Sequence, residues 1–271
     1  MLESCQPAVS RRRVRKGEGL LPECEGPPGG ELPEPARETL QARVLEVYGR
    51  LERLFGRPRR TGHLDPVSEL VSTILSQNTS DTNRDRAFFR LRERFPTWAQ
   101  VRDAPAAEIQ EAIRPAGLSE VKAPRIKDAL LQVTQADGTL SLDFLRQMSV
   151  ADAKAWLTAI KGVGPKTAAI ILLFSFGRPA FPVDTHIHRV SQRLGLIGPK
   201  VSREQAHVIL EQLVPPRLYY PFHINVIRHG REICRPQPRC EVCPLRDLCC
   251  YYERRVAPSQ RRPDGQEAGG A

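Results

Sequence analysis

Lys166 is the residue whose type and position best suit covalent chemistry. It follows the turn Gly162–Pro165 and begins an apolar run. In the first turn of a helix, the helix dipole disfavours a cation, and burial nearby would lower the pKa of the amine further. A neutral amine is a nucleophile that can form a Schiff base with a carbonyl carbon. The alternative is a lysine that only binds phosphate or is solvated, and the residue alone leaves both open.

Asp184 is the second candidate, because it stands where another helix should begin above the apolar residues Ile187, Val190 and Leu194. One interpretation is an N-cap, since an aspartate side chain accepts hydrogen bonds from free backbone N–H groups. The other is a carboxylate that faces the same pocket as Lys166. There it could stabilise a sugar cation or activate an attacking group. Both can be true of one residue.

Five of the seven cysteines lie close together near the C-terminus, and four have the spacing C-x5-C-x2-C-x5-C: Cys234, Cys240, Cys243 and Cys249. Four such thiolates can hold a [4Fe–4S] cluster or a tetrahedral zinc ion. Zinc sites more often use two C-x2-C pairs, and only one is present here. Cys250 follows Cys249 directly, which leaves a small ambiguity about the fourth ligand.

Arg235 and Arg239 lie between the first two cysteines. A loop that is fixed by a metal group and carries cations is suited to contact phosphates. The alternative is a structural cross-link with solvated arginines.

The segments that must position these residues almost all have helical periodicity. No good alternating strand pattern is present, so the sequence predicts an all-α fold of about ten short helices. The expected helices cover 36–55, 66–76, 80–95, 105–113, 119–133, 142–148, 150–160, 166–176, 184–194, 202–213 and 218–230. The helices on either side of the Gly162–Pro165 turn are expected to form a helix-hairpin-helix unit, whose exposed amides suit a phosphate. The alternative is a plain corner between two helices with a glycine cap.

The chain has 271 residues and a formal charge of +10, from 41 Lys and Arg against 31 Asp and Glu. This charge favours a polyanionic partner such as nucleic acid, although an arginine-rich composition would give the same excess. No apolar run is long enough to cross a membrane, and no secretory signal is recognisable. We therefore expect a cytoplasmic protein. Residues 1–35 and 255–271 are expected to be disordered, because they are rich in Pro, Gly and charge.

The chain resembles the endonuclease III family of base-excision DNA glycosylases. KGVGPKTAA, FPVDTHIHRVSQRLGL and the cysteine cluster carry the resemblance in that order, and ILSQNTSDTNRDRAF and GLSEVKAPRI support it. It covers about residues 36–254. The family fold implies two helical domains with a DNA-binding cleft between them. One is a six-helix barrel with the helix-hairpin-helix, here 60–179, and the other is an iron–sulfur domain, here 36–59 with 180–254.

By resemblance, Lys166 is the Schiff-base nucleophile, Asp184 its carboxylate partner and a [4Fe–4S] cluster the cofactor of the four cysteines. Gly162, Val163 and Gly164 would hold a DNA phosphate, and Asn78 and Leu118 would fill the gap left by a flipped nucleotide. The implied enzyme removes oxidised pyrimidines from double-stranded DNA and cuts the strand by β-elimination. AP sites, which lack a base, would also be substrates, and a monomer is expected.

Three positions depart from the usual family pattern. Asn78 stands where glutamine is common, Ser119 stands where tyrosine is common, and the first cysteine spacing is five rather than six. They put the preferred lesion and the gap-filling residues in question, but not Lys166 and Asp184. One alternative is therefore a related glycosylase that acts on T or U mispaired with G, or on AP sites. A more distant alternative is a non-catalytic DNA-binding module.

Overall fold

The computed structural model describes residues 26–27, 32–60 and 63–256, and these residues form helices and no strands. This confirms the predicted all-α class. The α-helices of the described ranges are α1 Glu34–Phe55, α2 Pro66–Leu75, α3 Asp81–Arg94, α4 Trp98–Asp103, α5 Ala106–Ile113, α6 Ser119–Asp137, α7 Val150–Ala159, α8 Pro165–Ile170, α9 Thr185–Arg193, α10 Arg203–Leu213 and α11 Tyr219–Glu232. A π-helical turn, Ile171–Ser175, continues α8.

Two local predictions differ from the structure. Helix α4 is absent from the predicted set because it has six residues and buries only Val101, which gives no readable period. Its start is fixed instead by a capping box between Thr97 and Gln100. The expected helix 142–148 is a short 3₁₀ segment, Asp143–Gln147.

The leader predicted as disordered over 1–35 is partly ordered. Helix α1 begins at Glu34 and has Pro35 in its first turn. Proline is tolerated there because the N–H groups of a first turn have no partner within the helix. Leu32 is buried, and the carbonyl of Pro27 accepts a 3.1 Å hydrogen bond from the Gly198 N–H. The tail predicted as disordered over 255–271 begins inside a π-helical turn, Tyr252–Val256, so its first two residues are ordered. The rest of the tail and of the leader lie outside the described residues.

The described residues bury two hydrophobic cores, which agrees with a two-domain layout. The first core lies within 67–180 and is built by α2 to α8. The second core joins α1 to α9, α10 and α11. Each fully buried Leu or Ile contributes about 1.5–3 kcal/mol of transfer free energy, so both cores are held mainly by apolar burial. The domain bounds stay a prediction.

Within the described ranges, polar contacts join helices of the two cores. Lys154 of α7 lies 2.5 Å from the Glu211 carboxylate of α10, and the same carboxylate oxygen accepts from the Phe181 N–H. Arg231 of α11 pairs with Asp81 of α3 at 2.8 Å. No helix in the described ranges is both long and apolar enough to cross a membrane.

Candidate active site

The turn between α7 and α8 needs glycine at one position and leaves space at the other. Gly162 has φ of 88°, and an added Cβ would lie 2.9 Å from the Arg125 side chain. Val163 is buried and its N–H donates to the carbonyl of Ile160, so its side chain and its N–H are both engaged within the protein. Gly164 has nothing within 4 Å of an added Cβ. Another molecule's backbone could approach closely there.

Lys166 lies in the first turn of α8, which begins at Pro165. Its side chain is exposed. The expectation that burial assists this amine is therefore wrong for the free protein. The position predicted from the sequence, directly after the hairpin and at a helix start, is the one observed.

Asp184 is the N-cap of α9, and its Oδ1 atom accepts a 2.7 Å hydrogen bond from the Ile187 N–H. The residue is half-buried. One carboxylate oxygen is thus used in the cap. The other carboxylate oxygen has no hydrogen-bond partner among those found in the described residues.

His223 is a buried histidine whose surroundings include the charges of Lys166 and Asp184, and no local pattern in the sequence marks it. The ring is buried on α11, with Nδ1 3.1 Å from the carbonyl of Pro182. Burial lowers the pKa of His223 to about 4, against which the carboxylate of Asp184 raises it and the ammonium of Lys166 lowers it further. Since Coulomb effects weaken with distance, both charges belong to the surroundings of this ring.

The four predicted cysteine ligands line one cavity, together with Arg193, His229 and Tyr251. Cys250 is not among the lining residues. Its Sγ atom lies 3.6 Å from Arg43 and 3.8 Å from the carbonyl of Leu194. The geometry therefore favours Cys249 over Cys250 as the fourth ligand.

The cysteines of this cavity do not by themselves form a metal site. Among the described residues, no three His, Cys, Asp or Glu side chains are arranged to hold a single metal ion. Burial raises the pKa of Cys243 to about 12 and that of Cys249 to about 11. These thiols would need a bound positive group to become thiolates near neutral pH.

Two arginines of α9, the helix that Asp184 caps, donate hydrogen bonds to the chain around Cys234, the first of the four cysteines. Arg189 donates to the carbonyl of Cys234 at 3.0 Å and to that of Gly230 at 2.9 Å. Arg193 donates to the carbonyl of Arg235 at 2.6 Å. Neither was a candidate from sequence, because nothing local distinguishes them from other arginines on an amphipathic helix.

Arg235 and Arg239 are both exposed on the segment between Cys234 and Cys240. The Nε of Arg235 donates to the carbonyl of Arg231, which holds it close to the end of α11. Arg239 also lines the cysteine cavity. The two cations are therefore exposed on a segment that Arg193 holds through the carbonyl of Arg235.

Asn78 and Leu118 share an unusual backbone conformation. Their φ angles are 52° and 49°, and no other non-glycine residue of the described ranges has a positive φ. Both side chains are exposed, Leu118 by 56%. Such conformations cost of order 1–3 kcal/mol each and persist where the surroundings hold them. The two residues named by family resemblance are thus the two strained ones.

Comparison with known proteins places these features in a family. The sequence profile of the HhH-GPD superfamily of base excision DNA repair proteins matches residues 71–216, which is more than half of the chain. Endonuclease III of Thermotoga maritima is 35% identical over 199 residues, covering 73% of this chain and 89% of that protein.

A protein of Arabidopsis thaliana, whose name places it among the DNA glycosylases, is 38% identical over 187 residues. The match covers 65% of this chain and 64% of the plant protein, so the chain spans just under two thirds of that relative. A solved structure of a trapped endonuclease III–DNA covalent intermediate has 28% identity and a TM-score of 0.67, covering 79% of this chain and 98% of that one.

Proposed function

Because the chain belongs to the HhH-GPD superfamily of base excision DNA repair proteins and is homologous to endonuclease III, we propose that it is a bifunctional DNA glycosylase. It removes oxidised pyrimidines from double-stranded DNA and cuts the strand at the resulting AP site through a lysine Schiff base. It works as a monomer inside the cell.

The observation that supports this proposal is that Lys166 and Asp184 each stand at the start of a helix. An exposed primary amine follows the hairpin directly, and a half-buried carboxylate caps the next helix. Both charges act on the buried His223 ring. The pair has the residue types that imine formation at a sugar carbon requires. The covalent DNA complex of endonuclease III, a structural neighbour of this chain, supports the same chemistry.

The reaction runs in two stages. The Nζ atom of Lys166 attacks C1′ of the flipped deoxyribose, and the bond to the damaged base breaks with its electron pair on the base, which gains a proton. The C1′–O4′ bond then breaks with its electron pair on O4′. One Nζ proton goes to the base and the other to O4′, which leaves an imine between Nζ and C1′. Asp184 stabilises the positive charge that develops on the sugar.

The imine makes the C2′ proton acidic. Loss of that proton breaks the C3′–O bond, and the 3′ phosphate leaves, which cuts the strand. Water then hydrolyses the imine and restores the Lys166 amine.

The DNA backbone binds at the hairpin and at the cysteine segment. The hairpin backbone at Gly162, Val163 and Gly164 holds a phosphate in this proposal, and the open space at Gly164 admits it. Arg235 and Arg239 supply cations at a second place. Asn78 and Leu118 fill the gap left by the flipped nucleotide.

The residues around the cysteine cavity fit a [4Fe–4S] cluster. Cys234, Cys240, Cys243 and Cys249 would hold it, since all four line the cavity and Cys250 does not. When bound, the cluster supplies four iron–thiolate bonds that cross-link this part of the chain. Arg193 of α9 fixes the same segment through the carbonyl of Arg235.

Borohydride trapping on three labelled duplexes tests the proposal, with thymine glycol, with T opposite G and with an AP site. A covalent adduct and a nicked product on thymine glycol are expected. Reaction with T opposite G alone would favour the mismatch-directed alternative, and reaction at the AP site alone would leave only the lyase step. If purified protein that retains its iron gives no adduct on any of the three duplexes, the proposed bifunctional enzyme activity is wrong.

A further inference from the structure

Lys122 of α6 is a fully buried lysine that the proposed chemistry does not use. Its side chain is 1% exposed, and its Nζ atom donates 2.8 Å hydrogen bonds to two backbone carbonyls, those of Leu75 and Ala116. Burial lowers the pKa of Lys122. A buried amine is costly, so its two partners must offset much of that cost.

The two carbonyls belong to the chain segments just before the two strained residues. Leu75 is the last residue of α2, three positions before Asn78, and Ala116 comes two positions before Leu118. The carbonyl of Leu75 is free because the last turn of a helix has no partners for its carbonyls. The N–H of Lys122 also donates to the carbonyl of Leu118 at 2.9 Å. Lys122 thus joins both segments.

A second set of contacts fixes the first segment against the hairpin. The Nε2 atom of Gln77 donates to the carbonyl of Gly162 at 2.8 Å, and its Oε1 atom accepts from Arg125 at 3.2 Å. Arg125 lies one turn along α6 from Lys122 and packs against Gly162. One face of α6 therefore holds the segments of Asn78, of Leu118 and of the hairpin in a single arrangement.

We propose that Lys122 is a positioning residue that holds Asn78 and Leu118 together as one wedge for the gap left by a flipped nucleotide. This inference rests on the proposed function, because it concerns the same DNA site. The left-handed conformations at both positions are disfavoured for non-glycine residues. Neighbouring bonds must hold them, and the Lys122 side chain supplies one bond two residues before Leu118 and one three residues before Asn78.

Lys122→Met tests the proposal, because methionine keeps the length of the side chain and removes both donors. The measured quantity is the ratio of affinities for a duplex with a tetrahydrofuran abasic analogue and for the undamaged duplex. We expect Lys122→Met to lower this ratio about tenfold, with little change in affinity for undamaged DNA. Val133→Ala, a buried position further along α6, is the matched control for loss of stability and should leave the ratio unchanged.

A double-mutant cycle with Leu118→Ala separates positioning from general support of the fold. If Lys122 acts through the wedge, Lys122→Met should change the ratio little once Leu118 is truncated. Lys122→Gln keeps two N–H donors on a shorter side chain and replaces Lys122→Met if that variant does not fold. We expect it to lower the affinity ratio by less than Lys122→Met does.

Equal ratios in wild type and in folded Lys122 variants would overturn the positioning role alone, and so would additive effects in the cycle. A wild-type protein with no preference for the abasic duplex would instead overturn the proposed function, and the positioning role with it.

Discussion

The Oδ1 atom of Asp184 accepts a hydrogen bond of 2.7 Å from the backbone N–H of Ile187. The side chain proposed for chemistry therefore also begins the helix that carries Arg189 and Arg193 to the cysteine segment. The two roles can be separated because asparagine caps helices about as well as aspartate does but carries no charge.

Asp184→Asn should slow base removal from a thymine glycol duplex by about 100-fold or more, since it removes the charge that assists the reaction. Thermal unfolding should change little, because the cap is kept. Single-turnover cleavage and a melting curve check both. Asp184→Ala is the control, and it should also lose about 1 kcal/mol of stability with the cap. A near-normal rate in Asp184→Asn would mean that Asp184 serves only as the N-cap of α9.

Lys166→Gln should abolish the borohydride adduct, because it removes the amine. DNA affinity should stay close to that of the wild type, because the side chain is exposed and its replacement leaves the folded DNA-binding surface in place. Trapping followed by gel electrophoresis measures the adduct. Lys161→Gln, at an exposed lysine on the other side of the hairpin, is the matched control and should still be trapped. An adduct that persists in Lys166→Gln means that another amine is the nucleophile.

Gly164→Ala should leave stability unchanged and weaken DNA binding severalfold. Its φ is −96° and no atom lies within 4 Å of the added methyl group in the free protein, so only an approaching phosphate would meet it. Thermal unfolding and binding titrations test the two halves. Gly162→Ala provides the contrast, since its φ of 88° and the nearby Arg125 predict a loss of stability. Unchanged affinity in Gly164→Ala would place the DNA backbone elsewhere.

Arg239→Ala should weaken DNA binding about equally across sequences and reduce the slope of log affinity against log salt by about one. The reason is the loss of one phosphate contact from the segment between Cys234 and Cys240. Binding titrations at several salt concentrations measure the slope. Arg203→Ala on α10 is the exposed-arginine control. If the slope for Arg239→Ala equals that of the wild type, Arg239 does not contact a DNA phosphate.

Cys249→Ser should lower the iron and sulfide content of the purified protein, because Cys249 lines the cavity. Cys250→Ser should leave both unchanged, since the Cys250 thiol is directed at Arg43 and the carbonyl of Leu194 instead. Iron and sulfide assays on both variants decide between the two adjacent thiols. The reverse result would make Cys250 the fourth ligand.

Local pattern was enough to predict most of the helices, the turn at Gly162 and the start of α9, because periodicity, glycine turns and caps depend on neighbouring residues. The six residues of α4 were too few to show a period. His223, Arg189 and Lys122 could not be found this way. Their partners lie far away in sequence, as with Lys122 and Leu75, which are 47 positions apart. The exposure of Lys166 likewise depends on how the helices pack.

The order of the helices along the chain has a consequence for synthesis on the ribosome. The first core lies within one uninterrupted stretch, so it can form as soon as that stretch has emerged. Helix α1 emerges earlier, yet its buried residues pack against α10 and α11, which are made last. The apolar face of α1 is therefore unpartnered through most of translation, the period in which a nascent chain is most prone to aggregate and to need a chaperone.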